Sequence, residues 1–183
     1  MHAAGDRPVA LCVNAFEPLV DALAQALRCQ RALLVTAESC TGGLVAATCT
    51  SLAGSSDWFE RGFVTYSNQA KIDCLGVDAA LISEHGAVSE PVARAMAAGA
   101  LERSLADVAV AVTGIAGPGG ATPGKPVGTV WLAWARRNAP TYTQHLLFAG
   151  NRASVREQTV EQALRRLLEL LAVSTDHGDN AAR

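Results

Sequence analysis

The pattern of apolar residues predicts an α/β protein, a three-layer α/β/α sandwich on a mixed, mostly parallel sheet. Three observations carry that class. Helix-period and strand-like segments alternate through the first two thirds of the chain. The runs ALLVT (32–36) and DVAVAVTG (107–114) are largely apolar and too short for helices, as strands covered on both faces are. Two more strand-like segments then follow one another directly. At 183 residues, half of them apolar, the chain can bury a core of its own as one domain without a metal or disulfide staple.

Taken in order, residues 1–14 lack a clear period and read as an extension ahead of a domain over 15–173. Phe16, Leu19, Val20, Leu23, Ala26 and Leu27 share one face and predict a helix over about 15–29. After the strand at 32–36, Gly42-Gly43 leads into the helical LVAATCTSL, with the hydroxyls of Ser39 and Thr41 as its expected caps. GSSDW (54–58) is a loop, RGFVTYS (61–67) a strand, and NQAKIDCLG a short helix ended by Gly76. Residues 78–84 suit another turn or two. Ser89-Glu90-Pro91 opens a stronger helix to about Ser104, with a capping hydroxyl, an acid and a proline in the first turn. The strand at 107–114 ends in the glycine- and proline-rich loop IAGPGGATPGKP. Segments 127–137 and 141–150 predict an antiparallel hairpin, and the stripe from Val155 to Leu171 predicts a last helix over about 153–173 before a flexible tail, 174–183.

Composition excludes several function classes. Fifteen Lys+Arg against seventeen Asp+Glu, without a run of one sign, leave no electrostatic footprint for nucleic acid or an anionic membrane. The longest apolar stretch, Val108 to Gly117, falls short of the ~20 residues a bilayer span needs. Five cysteines without a CxxC pair or a histidine at ligand spacing point to a reduced, cytoplasmic protein with no structural metal. Thirteen of the fifteen basic residues are arginine, so Lys71 and Lys125 are the only side chains of that type that burial could neutralise into bases.

Four loops rich in small polar residues sit at predicted strand ends, where α/β sheets bind ligands: AESCTGG (37–43), TYSNQAK (65–71), TGIAGPGG (113–120) and AGNR (149–152). Each alone is explained by turn chemistry; four together suggest a site. In the first, Ser39 stands where strand hands over to helix, and helix N–H groups at Gly42-Gly43 could hold an anion or oxyanion. Cys40 is the rival nucleophile and Glu38 a cap or a hydroxyl-binding group. None of the four histidines suits the role of base: His2 and His177 lie near the ends, His85 in a loop and His145 within a strand. Lys71 is then the candidate base, against the ordinary fate of a solvated lysine. Lys125 could close over a ligand. Arg152, at the start of the last helix, suits a phosphate or an ion pair with a neighbouring helix.

The segments AESCTGG, GSSDWFERGFVTYSNQAK, HGAVSEPVA, VTGIAGPGG, KPVGTVW and FAGNR resemble, in order and spacing, the CinA C-terminal domain family over about residues 15–172. Stand-alone members of that family are nicotinamide-nucleotide amidases of the PncC type. The resemblance implies a cytoplasmic domain that hydrolyses nicotinamide mononucleotide to nicotinic acid mononucleotide and ammonia. It also implies a small-molecule substrate, no cofactor or metal, and a homodimer or larger assembly. The nucleotide-hydrolase domain that precedes the module in longer members has no counterpart in this sequence. By the resemblance Ser39 is the nucleophile, with Lys71 and Tyr66 assisting. Glu38, Thr41, Gly42, Gly43, Thr113, Gly114, Gly117 and Arg152 are expected to bind substrate. The family's terminal G-D-R reads Gly150-Asn151-Arg152 here, without an acid beside the arginine. A pocket that binds nucleotide without turnover is the alternative.

Overall fold

The computed structural model describes residues 13–175; the expected extension, but for its last two residues, and the tail after Thr175 lie outside them. Five strands form one sheet in the order β2-β1-β3-β4-β5. They are β1 (Leu34–Glu38), β2 (Phe59–Val64), β3 (Val108–Gly114), β4 (Thr129–Arg136) and β5 (Tyr142–Leu147). β1 pairs in parallel with β2 and β3, whereas β3–β4 and β4–β5 are antiparallel, so only β4 runs against the rest. The expected hairpin is β4–β5. The register aligns Glu38 with Val64 and with Val112, which brings the carboxyl ends of β1, β2 and β3 to one edge.

Helices cover both faces, as the strand pleat dictates. One face presents Leu34, Val108, Val110, Val112, Leu132 and Trp134 to α1 (Glu17–Gln30), α2 (Leu44–Cys49) and α6 (Arg152–Thr175). The other presents Val35, Ala37, Ala109, Ala111, Ala133 and Ala135 to α3 (Asn68–Leu75), α4 (Ala79–His85) and α5 (Glu90–Glu102). Alanine on that second face lets α5 lie close, with its own Ala93, Ala97 and Ala100 fully buried. Burying each large side chain of the first face contributes about 1.5–3 kcal/mol.

Several boundaries differ from expectation. The strand expected at 61–67 ends at Val64, because Ser67 turns out of the sheet to accept the Ala70 N–H at 3.0 Å and cap α3. β1 starts two residues late, where the Asp107 carboxylate takes the Leu33 N–H at 2.9 Å. Neither Ser39 nor Thr41 caps α2, and Ser89 does not cap α5; its hydroxyl donates to the Gly86 carbonyl at 2.8 Å. Asp78 caps α4 through the Ala80 N–H, and Asn151 takes the Ser154 N–H at 3.0 Å in the first turn of α6.

Gly99, in the last turn of α5, lies against the Leu75 carbonyl at the end of α3, where a Cβ would collide with that oxygen. Helix propensity alone makes alanine better than glycine by about 0.5–1 kcal/mol. The expected outcome here is the reverse: Gly99→Ala destabilises the protein by about 2 kcal/mol through forced separation of α3 and α5, measured by urea unfolding.

Candidate active site

Successive residues at the end of β1 point to opposite faces of the sheet, and that alternation sets up the site. Glu38 turns toward α2, where its carboxyl oxygens accept the N–H groups of Gly43, Val45 and Ala46 at 2.8–3.0 Å and the Thr36 hydroxyl at 3.3 Å. It is 1% exposed. The helix amides expected to hold a ligand anion are therefore occupied by the protein's own acid, and Glu38 caps α2 in place of Ser39 and Thr41. Ser39 turns the other way, toward α3. Its N–H donates to the Val112 carbonyl at 3.0 Å, which continues the β1–β3 ladder by one residue and fixes the hydroxyl.

Lys71 meets it there. The Lys71 amine, on a residue 1% exposed, donates to Ser39 Oγ at 2.9 Å and to the Thr65 carbonyl at 2.8 Å. Burial lowers its pKa from the ordinary lysine value, a nearby Cys40 sulfur opposing slightly, and among the described residues no carboxylate forms an ion pair with it. A neutral amine at that distance can take the serine proton and leave a nucleophilic oxygen. Cys40 is unsuited to act as the nucleophile, because burial pushes its thiol up to about 12, the wrong direction for a thiolate.

The pair opens into a cleft of about 250 Å³ lined by Tyr66, Asn68, Ala87, Val88, Thr113 and the loop from Gly114 to Gly120, with Arg152 at its rim. Among the described residues no acidic one lines it, which suits an anionic ligand. Thr113 donates its hydroxyl to the Ala87 carbonyl at 2.8 Å and so ties the end of β3 to the α4–α5 connection. Gly114 permits the approach of Cys40 and β4, since a Cβ would stand 3.1 Å from the Cys40 sulfur and 2.9 Å from the Thr129 oxygen. Arg152 bridges the mouth, donating to the Gly117 carbonyl at 2.8 Å and to the Tyr66 hydroxyl at 2.6 Å. Tyr66, 59% exposed, thus engages Arg152 rather than Ser39 or Lys71.

The structure therefore gathers Ser39, Lys71, Tyr66, Thr113, Gly114, Gly117 and Arg152 around one space, and leaves Glu38, Thr41, Gly42 and Gly43 outside it. Thr41 is buried behind the turn, where its carbonyl accepts from Arg156 at 2.7 Å. Lys125 does not close over the cleft; its amine donates to the His85 carbonyl at the end of α4 at 2.9 Å. Of the histidines described, His85 faces Glu84 and His145 stacks on Trp131, and neither lines the cleft with Ser39. Sequence reading missed Asn68, Ala87, Val88 and Arg156. Asn68 and Arg156 stand three and four helical positions from Lys71 and Arg152, a spacing that would have put each beside its partner.

Comparison with known proteins places the fold. The family model described as the CinA C-terminal domain matches residues 16–171. The chain belongs to the CinA C-terminal domain family. The nicotinamide-nucleotide amidohydrolase PncC of Escherichia coli is 50% identical over 157 residues, covering 86% of this chain and 95% of that protein. A CinA-like protein of Akkermansia muciniphila is 58% identical over 134 residues, but there this CinA-family chain covers 73% of itself and only 32% of its longer relative. Among solved structures, the competence/damage inducible protein CihA of Agrobacterium tumefaciens superposes with a TM-score of 0.83 at 43% identity, over 93% of this chain and 99% of the other. The competence damage-inducible protein A of Klebsiella pneumoniae gives 0.82 at 42% identity, over 85% and 96%.

Burial of the Lys71 amine also sets a pH signature. Its folded pKa lies below its unfolded one, so between the two values the unfolded chain binds the extra proton and stability rises with pH. Below the folded value the penalty is fully in force. The expected result is that Lys71→Met gains stability relative to wild type at about pH 6 and loses that gain as the pH approaches about 10, read by urea unfolding of both proteins across the range.

Proposed function

We propose that this chain is a serine amidohydrolase that converts nicotinamide mononucleotide to nicotinic acid mononucleotide and ammonia. The observation that carries the reading is the buried Lys71 amine 2.9 Å from Ser39 Oγ, with no acid paired to it among the described residues. The amidohydrolase named above, half identical over nearly its whole length, supplies the substrate class.

In this mechanism Ser39 Oγ bonds to the carboxamide carbon as its proton passes to Lys71 Nζ. The C–N bond then breaks, and the Lys71 ammonium returns that proton to the departing nitrogen, which leaves as ammonia. Water attacks the acyl-serine with Lys71 again as base, and the acid departs with Ser39 restored. Ser39's own N–H is spent on Val112, so the oxyanion falls to amides of the Cys40 turn and the Ala116–Gly117 loop. Arg152, held by Tyr66 and Gly117, grips the 5′-phosphate and so orients the pyridine ring against Ser39; Tyr66 keeps its own O–H proton to donate into the cleft. Thr113 and Gly114 shape the floor.

The same reading takes residues 15–173 as one catalytic domain acting in the cytoplasm on a diffusible mononucleotide, as a homodimer or larger homo-oligomer. Two unpaired, exposed cysteines, Cys29 and Cys74, favour a reducing compartment. Among the described residues no helix is long and apolar enough to cross a membrane. Val64 and Leu147, apolar and exposed on the two edge strands, offer surface for association.

An ammonia-release assay tests the chemistry. Ser39→Ala and Lys71→Arg are expected to lower kcat by at least about 1,000-fold, while Cys40→Ala retains most activity. Saturable mononucleotide binding by wild type without ammonia release would replace the enzyme with a binding module. For the phosphate, Arg152→Ala is expected to cost about 10–100-fold in kcat/KM on the mononucleotide and little on free nicotinamide, measured by steady-state kinetics on both.

A further inference from the structure

The polar side chains lining the cleft are nearly all committed to one another. Ser39 is bonded to Lys71, Tyr66 to Arg152, and Thr113 to the Ala87 carbonyl. Asn68 differs: it lines the cleft, is solvent-exposed, and its side-chain amide makes no hydrogen bond to any described residue. It is the first residue of α3 and lies three positions before Lys71. That spacing places the two side chains on one helix face, with Cβ atoms about 5–6 Å apart. Ser67, capping the helix through the Ala70 N–H, fixes the turn from which Asn68 projects. A free neutral amide thus stands beside the base, at the end of the cleft where a scissile bond must lie.

We propose that Asn68 is a specificity residue that reads the substrate's carboxamide: its Oδ1 accepts an N–H of the scissile amide and holds the leaving nitrogen next to Lys71. This inference rests on the amidase reading. An acceptor suits this position because a primary carboxamide offers two N–H donors, whereas the carbonyl oxygen of the same group must face donors as charge develops on it. Holding the nitrogen beside Lys71 also shortens the path by which the ammonium returns its proton. On the amidase reading the phosphate sits with Arg152, which is held at the mouth by Gly117 and Tyr66, so Asn68 acts on the reacting group and not on the nucleotide end.

Comparing an amide with an ester isolates the contact, since the methyl ester of nicotinic acid mononucleotide has no N–H to give. In wild type and Asn68→Ala, kcat/KM is measured on nicotinamide mononucleotide and on that ester. The expected result is a loss of about 10–100-fold on the amide and less than about threefold on the ester. Asn68→Gln, which keeps a neutral acceptor without placing an acid beside Lys71, is expected to retain the wild-type ratio of amide to ester rates. An unchanged amide rate in Asn68→Ala overturns the proposal. So does an equal loss on both substrates, which would mean that Asn68 supports α3 or touches the ribose. Wild type inactive on both substrates would instead remove the amidase reading itself, an outcome distinguishable because it precedes any substitution.

Discussion

An amine buried with no ion-pair partner among the described residues governs the design of this protein. A charged lysine in that position would lose its hydration with no carboxylate to offset the loss, so the fold favours the uncharged form. Two acceptors, Ser39 Oγ and the Thr65 carbonyl, receive its N–H groups. The Thr65 carbonyl is available because the chain leaves the sheet after Val64. α3 carries the cost. It buries only Lys71 and Leu75, a poor apolar stripe, and is held by its ends: Ser67 at the start and Gly76, left-handed, at the close, whose N–H reaches the Ile72 and Lys71 carbonyls.

The buried acid next door could have undone this arrangement. Glu38 adjoins Ser39 in sequence, and an acid free to reach Lys71 would form an ion pair and keep the amine protonated. Strand alternation prevents it, since adjacent residues emerge on opposite faces. Glu38 instead meets the amino end of α2, where three amides and a hydroxyl satisfy it. One buried carboxyl and one buried amine thus lie on opposite sides of the same strand end, each stabilised by a different helix. The acid holds the strand-to-helix turn in place, and the amine uses it.

The mouth of the cleft follows other rules. Its charge is Arg152, and its partners are a tyrosine hydroxyl and a backbone carbonyl. Asn151 serves as well as an acid would for starting α6, because a capping oxygen needs no formal charge to accept the Ser154 N–H. The departure from the family's G-D-R therefore leaves the helix start intact, and Tyr66 with Gly117 fixes the arginine that a neighbouring acid would otherwise have held. One turn further along α6, Arg156 reaches the Thr41 carbonyl, so the same helix braces the Ser39 turn from behind.

Local pattern was enough to determine the layers, the hairpin and the identity of Ser39, Lys71 and Arg152 as groups of interest. Apolar runs at 32–36 and 107–114 have no other stable home than a covered strand, and two lysines among fifteen basic residues stand out by count. Strand ends were less legible, as Ser67 shows, because a serine that could close a strand can equally cap the next helix. Glu38 illustrates the deeper limit: its sequence context suits a cap and a substrate ligand alike, and only the approach of α2 chooses between them. Tyr66 was similarly open, since whether its hydroxyl is free or committed depends on Arg152, eighty-six residues away. Sequence fixes which side chains can carry charge, accept protons or tolerate burial; pairing β1 with both β2 and β3 decides which of them meet, because contact across a sheet is set by register and not by distance along the chain.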